Sequence, residues 1–251
     1  MTDISVATYN VLAQCFVEPE RYATVSPTSL LSPDHRRQAL IDKISTLDTT
    51  LILLQEVEAE LLADLQTHLG RRYRIFWSKR PTHSDGCAVL VSQKQMAVLN
   101  HETLVYRARE TGYSQVACLV TVQYGETALL VVSTHLRCGC QALPGHPPLG
   151  QLQMRELLDV IRQQRPRLCI LGGDLNALPD SPTLQAAYAA DFRRAGDEDT
   201  AYIRGVRGKR DYLLHRGVSL KAHPGVGFTQ LPALNQPSDH VAFSARLLLP
   251  G

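Results

Sequence analysis

The sequence predicts an α/β fold, in which buried strands alternate with amphipathic helices. Short apolar runs bounded by glycine, proline or polar residues recur along the chain, as in buried strands. Between several of them, apolar residues repeat every three to four positions, as on one face of a helix. The 251 residues can bury a large core, and neither a linker nor an internal repeat divides them. We therefore expect one domain over residues 1–251.

Nine segments have the length and composition of strands. A run of four to eight apolar residues bounded by glycine, such as Leu168 to Leu171 before Gly172, indicates a buried strand. Alternation and flanking turn residues extend this interpretation to the other segments. In chain order the predicted strands are 4–9, 51–54, 73–77, 87–92, 116–122, 127–134, 168–172, 211–214 and 241–249.

Helices are predicted in four of the gaps between strands. Ser32 suits an N-cap and Pro33 the first helical position, and apolar residues then follow at helical spacing. Ser181 and Pro182 begin a short fourth helix in the same way. The apolar positions of the first three helices are Leu40, Ile44 and Leu47, then Leu61, Leu62, Leu65 and Leu69, then Met154, Leu157, Leu158 and Ile161.

The charge balance limits the partners of the chain. Twenty-six basic and 24 acidic residues give a formal net charge of +2, too little to attract duplex DNA as a strongly basic protein does. No window is apolar enough to span a membrane, and the N-terminus lacks an export signal, so we expect a cytoplasmic protein without a membrane partner. The densest basic cluster, which a solvated loop also explains, is Arg204, Arg207, Lys209 and Arg210.

Six cysteines occur, at positions 15, 87, 118, 138, 140 and 169. Four of them lie in or beside apolar runs, where a thiol packs as a small apolar group, and we expect reduced thiols. Cys138 and Cys140, with His135 and His146, would be an alternative zinc site. A single residue between two cysteines is not the usual spacing of zinc ligands, which disfavours that alternative.

Polar residues that suit phosphate chemistry stand at the ends of the predicted strands. Asp239 and His240 precede the last strand, and they reach the same edge if that strand runs antiparallel to its neighbours, as we expect. Convergence of five such segments favours one metal-dependent, phosphate-cleaving site over chance turn composition. The residues that follow or end the other four strands are Asn10, Glu56, His135, and Asp174 with Asn176.

Six short motifs occur in order along nearly the whole chain. They are Tyr9-Asn10-Val11-Leu12-Ala13-Gln14, Leu54-Gln55-Glu56-Val57-Glu58, Ser133-Thr134-His135-Leu136, Gly173-Asp174-Leu175-Asn176, Asp211-Tyr212 and Ser238-Asp239-His240. Together they resemble the motifs of the endonuclease/exonuclease/phosphatase superfamily. The segments 85–89 and 231–240 are similar to its branch that contains nocturnin and the carbon-catabolite-repressor-type deadenylases.

The resemblance implies a DNase I-like fold, a four-layer α/β/β/α sandwich of two mixed β-sheets flanked by helices. It also implies a hydrolase that uses Mg²⁺, with Mn²⁺ as an alternative. By this resemblance Glu56 binds the metal ion and Asn10 lies close to the same ion, in part through water. Asp239 is expected to serve a second metal or to orient a histidine. We assume a monomer.

The resemblance also implies the catalytic roles. Asp174 is expected to orient and deprotonate the attacking water, and Asn176 to donate hydrogen bonds to phosphoryl oxygens, where charge builds up. His240 is expected to contact the scissile phosphate or its metal. Asp211 and His135 are expected to form a pair in which the carboxylate fixes the imidazole.

The substrate implied by the branch is a nucleotide or a short single-stranded RNA. Lys79 and Arg137 stand where nocturnin-like proteins carry basic residues that contact phosphate, whereas Gly139 replaces a second basic residue. Either a 3′-exonuclease or deadenylase, or an NADP(H) 2′-phosphatase, is therefore expected. The alternatives are hydrolysis of another small phosphorylated molecule and a catalytically silent binding module with the same fold.

Overall fold

The computed structural model describes residues 4–18, 20–110, 112–138 and 147–248, and its strands form two large sheets. The first sheet has the spatial order β13 (Ser219–Ala222), β14 (Phe243–Leu248), β1 (Ser5–Asn10), β2 (Leu51–Gln55), β4 (Gly86–Ser92) and β3 (Tyr73–Lys79). The second has the order β5 (Val98–Val105), β6 (Val116–Tyr124), β7 (Thr127–His135), β8 (Leu168–Asp174), β12 (Asp211–Arg216) and β9 (Arg193–Arg194). Both sheets are mixed, because β1 and β2 are parallel, as are β7 and β8.

Helices cover the outer faces of both sheets. Helices α1 (Pro33–Thr46) and α2 (Ala59–Leu69) pack on the first sheet, and α3 (Leu149–Gln164) and α4 (Pro182–Tyr188) pack on the second. Helices α1 and α4 begin at the prolines that follow Ser32 and Ser181, α2 begins two residues before Leu61, and α3 begins five residues before Met154. At α4 the cap works as expected, since Ser181 accepts a hydrogen bond from the backbone of Leu184.

Burial alternates along the strands and so defines the layers. Every residue of β2 is buried, because this strand is covered on both faces. Leu51 and Leu53 belong to the apolar core between the sheets, whereas Ile52 and Leu54 belong to the core beneath α1 and α2. A third apolar core lies between the second sheet and helices α3 and α4. The predicted four-layer α/β/β/α sandwich is confirmed.

Several elements depart from the predicted ones. Strand β5 was not predicted, because six of its eight residues are exposed and it contains no apolar run. The short strands β9 and β13, and the hairpin of β10 (Ala201–Ile203) and β11 (Val206–Gly208), were also missed. The last strand begins at Phe243 rather than at position 241, but it runs antiparallel to β1 as expected. Among the described residues no helix is long and apolar enough to cross a membrane.

Strand β8 requires glycine at two adjacent positions. A Cβ atom on Gly172 would lie 2.5 Å from Cδ1 of Leu53, which comes from the facing sheet. Gly173 has a φ of +147°, and a Cβ there would overlap the carbonyl oxygen of Thr134 on β7. The two glycines therefore allow a close approach of the backbones directly before Asp174.

Candidate active site

The sheet registers bring the predicted site residues to one edge. In the parallel pair of β7 and β8, His135 stands opposite Asp174. In the antiparallel pair of β8 and β12, Asp211 stands opposite the same aspartate. In the first sheet, Asn10 at the end of β1 stands opposite Gln55, directly before Glu56. Backbone pairing thus aligns the site residues within each sheet, and the packing of the two sheets brings both sets together.

Asp174 lies at the centre of the cluster and is almost completely buried. Its Oδ2 accepts a hydrogen bond of 3.0 Å from Nδ2 of Asn10 and lies 3.6 Å from Nε2 of both His135 and His240. Its Oδ1 accepts from the backbone N–H of Asn176 at 2.9 Å. The carboxylate is therefore held in one orientation between two imidazoles.

The site has two walls: Asp174 lies on the wall formed by the second sheet, and Glu56, which follows β2, lies on the opposite wall formed by the first sheet. Its Oε1 accepts from Nδ2 of Asn10 at 2.9 Å, and its Oε2 accepts from the backbone N–H of Ala13 at 2.9 Å. Burial raises the pKa of Glu56, and the nearby His135 opposes that rise. The residue has a φ of +60°, a conformation that is uncommon outside glycine and is concentrated at functional sites.

Asn10 joins the two walls through its amide nitrogen. This nitrogen donates to both Glu56 and Asp174, while the amide oxygen accepts from the backbone N–H of Leu12 at 2.9 Å. The side chain therefore positions two carboxylates, and its oxygen already has a partner inside the protein. The role of Asn10 beside a metal ion stays a prediction.

His240 pairs with Asp211, which differs from the expected pair of Asp211 and His135. The His240 Nδ1 atom lies 2.7 Å from Oδ2 of Asp211, and both side chains are buried. Burial disfavours the charged imidazole, but Asp211 and then Asp174 outweigh this effect and raise the pKa of His240 to about 10. Sequence order does not distinguish the two histidines as partners, because the choice depends on how the two sheets face each other.

His135 instead lies between Glu56 and Asn176. Its Nδ1 is 3.7 Å from Oε1 of Glu56, and its Nε2 is 3.0 Å from Nδ2 of Asn176. The amide nitrogen of Asn176 also donates to the carbonyl of Leu136 at 3.1 Å. Asn176 thus contacts the cluster through His135 and stands at its border, with a φ of +48°.

Asp239 has two partners that sequence reasoning missed. Its Oδ2 accepts hydrogen bonds of 2.9 Å from Nη2 of Arg21 and from the hydroxyl of Tyr22. Its Oδ1 lies 3.9 Å from Nε2 of His240. Arg21 and Tyr22 belong to a connection that has the composition of a solvated loop, so no local pattern distinguishes them.

Arg36 was also missed, although it is 1% exposed. Its guanidinium donates to the carbonyls of Pro237, Val11 and Leu12 at 2.7 to 2.9 Å. It therefore ties the segment after Asn10 to the segment before Asp239. The sequence did contain a sign that Arg36 is buried, because it stands four residues before Leu40 and so on the apolar stripe of α1.

Buried polar contacts join the remaining segments near the site. Gln55 donates from Nε2 to the hydroxyl of Ser133 at 3.0 Å and so links the two sheets. The Ser133 hydroxyl donates in turn to the carbonyl of Leu54 at 2.9 Å. The hydroxyl of Ser238 donates to the carbonyl of Asn10 at 2.7 Å, and it accepts from the backbone N–H of His240. The edge of the sandwich is thereby fixed in place.

The two predicted basic residues lie outside the buried cluster. Nζ of Lys79 donates to the carbonyl of His83 at 2.7 Å. Arg137 pairs with Glu110 at 2.9 Å, and its guanidinium lies 4.5 Å from the ring centroid of Tyr113. Both side chains follow strand ends on the same side of the sandwich as the cluster, and in the described part of the chain neither contacts a carboxylate of that cluster.

Cys15, Cys87, Cys118 and Cys169 are free thiols. Cys87, Cys118 and Cys169 are buried, as expected for small apolar groups. Cys15 is exposed as a residue, but its sulfur is partly buried. This partial burial raises the pKa of the thiol to about 11, so the thiol stays protonated at neutral pH. The alternative zinc site is not tested, because Gly139, Cys140 and His146 lie outside the described residues.

The donor atoms of the cluster fit a divalent cation. Side-chain atoms of Asp174, Asp211 and His240 lie within 4.8 Å of one another. Oδ1 of Asp211 is buried and has no hydrogen-bond partner, which leaves one carboxylate oxygen unsatisfied. With Glu56 on the opposite wall, the set is rich in hard oxygen ligands, which magnesium and manganese prefer to sulfur.

Known proteins share both the sequence pattern and this architecture. The family described as "Endonuclease/Exonuclease/phosphatase family" matches residues 7–240. Nocturnin of Xenopus laevis is 26% identical over 94% of this chain and 70% of its own length. The Ccr4 3′-5′-exoribonuclease subunit of Candida glabrata is 25% identical over 97% of this chain, which spans only 32% of that protein.

Solved structures agree with the fold. ANGEL2, described as a 2′,3′-cyclic phosphatase, superimposes with a TM-score of 0.84 at 17% identity, over 98% of this chain and 95% of that one. The human Nocturnin catalytic domain with a bound sulfate gives a TM-score of 0.75 at 20% identity, over 98% and 93%. The predicted phosphoester hydrolase is confirmed at the level of the family. The chain belongs to the endonuclease/exonuclease/phosphatase family.

Proposed function

We propose that this chain is a Mg²⁺-dependent phosphohydrolase that cleaves a nucleotide phosphoester. The observation that carries the proposal is the buried Asp174 carboxylate, which stands between Asn10, His135 and His240 and faces the second carboxylate of Glu56. Mn²⁺ is the alternative ion. The single-domain organisation and the cytoplasmic location stay predictions.

Asp174 is placed to orient and deprotonate a water molecule that attacks phosphorus. Its hydrogen bonds from Asn10 and from the backbone of Asn176 fix the direction of its lone pairs. His240, kept protonated by Asp211, supplies positive charge for the phosphoryl oxygens. As the motifs imply, Glu56 would hold the metal ion with Asn10 close to it, and Asp239 would serve a second ion or orient His240; when bound, the ion stabilises negative charge on the phosphoryl group.

Three substrates follow from the relatives. The similarity to Ccr4, named as a 3′-5′-exoribonuclease subunit, supports a 3′-terminal RNA. The branch motifs imply NADP(H) as the second candidate. The fold similarity to ANGEL2, one structure of which holds adenosine-2′,3′-vanadate, adds a 2′,3′-cyclic phosphate as a third candidate. Lys79 and Arg137 are proposed to contact substrate phosphates at the rim, where Arg137 would exchange Glu110 for the substrate.

The test is hydrolysis by the purified protein with Mg²⁺, with Mn²⁺ and with EDTA. An oligoadenylate RNA, NADP(H) and an RNA that ends in a 2′,3′-cyclic phosphate are offered separately. Asp174→Asn and Glu56→Gln are expected to lower kcat at least a hundredfold. Glu60→Gln, at an exposed position of α2, is the matched control and should keep full activity.

Each product identifies a different activity. Stepwise shortening indicates an exonuclease, inorganic phosphate from NADP(H) indicates a 2′-phosphatase, and ring opening or phosphate loss indicates the cyclic phosphatase. Full hydrolysis by Asp174→Asn would contradict the assigned base. Full activity in EDTA would contradict the metal requirement. No hydrolysis of any of these substrates would contradict the assignment to the nocturnin and deadenylase branch, and would leave another small phosphorylated substrate or a silent binding module as the interpretations.

A further inference from the structure

A separate cavity adjoins the site at Asn176. It has a volume of about 530 Å³, which is within the range of small-molecule pockets. It lies on the helix-covered side of the second sheet, between the loop after β8 and the beginning of α4. Its lining includes Asn176, Leu178, Asp180, Ser181, Thr183 and Arg210.

Arg210 is fixed at this cavity by its backbone. Its N–H donates to the hydroxyl of Thr200 at 3.0 Å, and its carbonyl accepts from the N–H of Leu175 at 3.0 Å. Within the described part of the chain, the structure gives its guanidinium no hydrogen bond and no ion pair. Two neighbouring cations differ, because Arg207 pairs with Asp199 and Lys209 is buried against aromatic rings.

Strand alternation separates Arg210 from the catalytic cluster. Leu213 belongs to the core between the sheets, and Tyr212 belongs to the core beneath α3 and α4. Asp211 therefore points between the sheets, toward His240, and Arg210 points to the opposite face. Asn176 lines the cavity and also contacts His135, so the two sites share this one residue as a border.

We propose that the cavity binds a second phosphate of the substrate, next to the phosphoester that is cleaved, with Arg210 as its cation. A half-buried guanidinium that forms no ion pair with the described residues presents its fork of donors to a phosphate. Leu178, which is 58% exposed, offers an apolar surface to the attached nucleoside. The inference rests on the proposed function and narrows its substrate class to nucleotides with at least two phosphates.

Binding is tested first, without catalysis. Adenosine 3′,5′-bisphosphate and adenosine 5′-monophosphate are titrated into the protein in EDTA by calorimetry. The wild-type chain is expected to bind the bisphosphate at least tenfold more tightly, and Arg210→Met to remove that preference. Arg204→Met, an exposed arginine of the same basic cluster, is the matched control and should keep the preference.

Equal affinity of the wild-type chain for both ligands would overturn the proposal, and so would an unchanged preference in Arg210→Met. Kinetics then identify the source of the second phosphate. If the second phosphate belongs to a polynucleotide, Arg210→Met is expected to raise KM for the oligoadenylate about tenfold, with kcat nearly unchanged. If it belongs to a dinucleotide, the same change is expected for NADP(H).

Failure of this proposal is distinguishable from failure of the proposed function. If the preference for bisphosphate depends on Arg210 but no phosphoester is hydrolysed, the cavity stands and the catalytic assignment falls. If hydrolysis depends on Asp174 while Arg210→Met changes neither KM nor affinity, the catalytic assignment stands and the cavity proposal falls.

Discussion

Asp211 and His240 form a buried hydrogen bond of 2.7 Å that crosses between the two sheets. Asp211 begins β12 in the second sheet, and His240 lies in the segment that leads to β14 in the first. The other ring nitrogen, Nε2, faces Asp174 at 3.6 Å. The bond therefore fixes the imidazole against the central carboxylate.

Substitution of Asp211 is expected to impair catalysis more than folding. Asp211→Asn keeps the shape but removes the charge that sustains the His240 imidazolium, so kcat should fall about a hundredfold with a small change in KM. Steady-state kinetics and the 15N chemical shifts of His240 measure the two effects. The control, Asp159→Asn at an exposed position of α3, should change neither, and an unchanged His240 titration in Asp211→Asn would contradict the assigned partner.

The stability of the metal-free protein is expected to depend on the charge of His240. Its pKa is about 10 in the folded chain and about 6.5 when unfolded, so the native state binds more protons between these values. The contribution is complete below about pH 6.5 and is lost as the pH rises toward 10. The free energy of unfolding in EDTA should fall over this window, and His240→Gln should remove part of the slope. Identical slopes in both proteins would argue against a charged His240.

Removal of Arg36 is expected to destabilise the fold and to loosen the site. Arg36→Met leaves the buried carbonyls of Pro237, Val11 and Leu12 without their donor, which should cost about 3 kcal/mol. Urea unfolding measures this loss. Arg37→Met, at the next position, removes only exposed ion pairs and should cost less than about 1 kcal/mol. Equal losses in the two variants would show that the buried hydrogen bonds add nothing.

Glycine at position 173 is expected to be essential for folding. In Gly173→Ala the new Cβ meets the backbone carbonyl of Thr134, which cannot move without breaking the pairing of β7 with β8. A loss of more than about 4 kcal/mol, or failure to fold, is expected. Gly208→Ala is the control, because a Cβ there meets nothing within 4 Å. A stable Gly173→Ala protein with a native circular dichroism spectrum would refute this explanation.

The strands and helices that carry apolar runs were predictable because burial leaves a local pattern. All five residues of β2 are apolar or buried, and the stripe of α3 repeats at helical spacing. Strand β5 was not predictable, because its residues are exposed and its pairing with β6 is made by backbone groups that any sequence supplies.

The site was predictable only as far as strand ends reveal it. Four site residues stand at or directly after the ends of predicted strands, and the strand registers align them within each sheet. They are Asn10, Glu56, His135 and Asp174. Arg21 gave no signal, because a charged residue in a loop is usually solvated. Its contact with Asp239 joins residues 218 positions apart, which no local pattern encodes.

By itself, the sequence determined the layers and the chemical types gathered at their edge, because apolar periodicity and strand ends are local properties. Only the tertiary structure decided the partners: His240 rather than His135 for Asp211, Arg36 for three backbone carbonyls, and, among the residues that the structure describes, no ion pair for Arg210 beside Asn176. Such choices depend on how two sheets face each other. Distances of a few ångströms between strands from different sheets are set by packing, and not by neighbours along the chain.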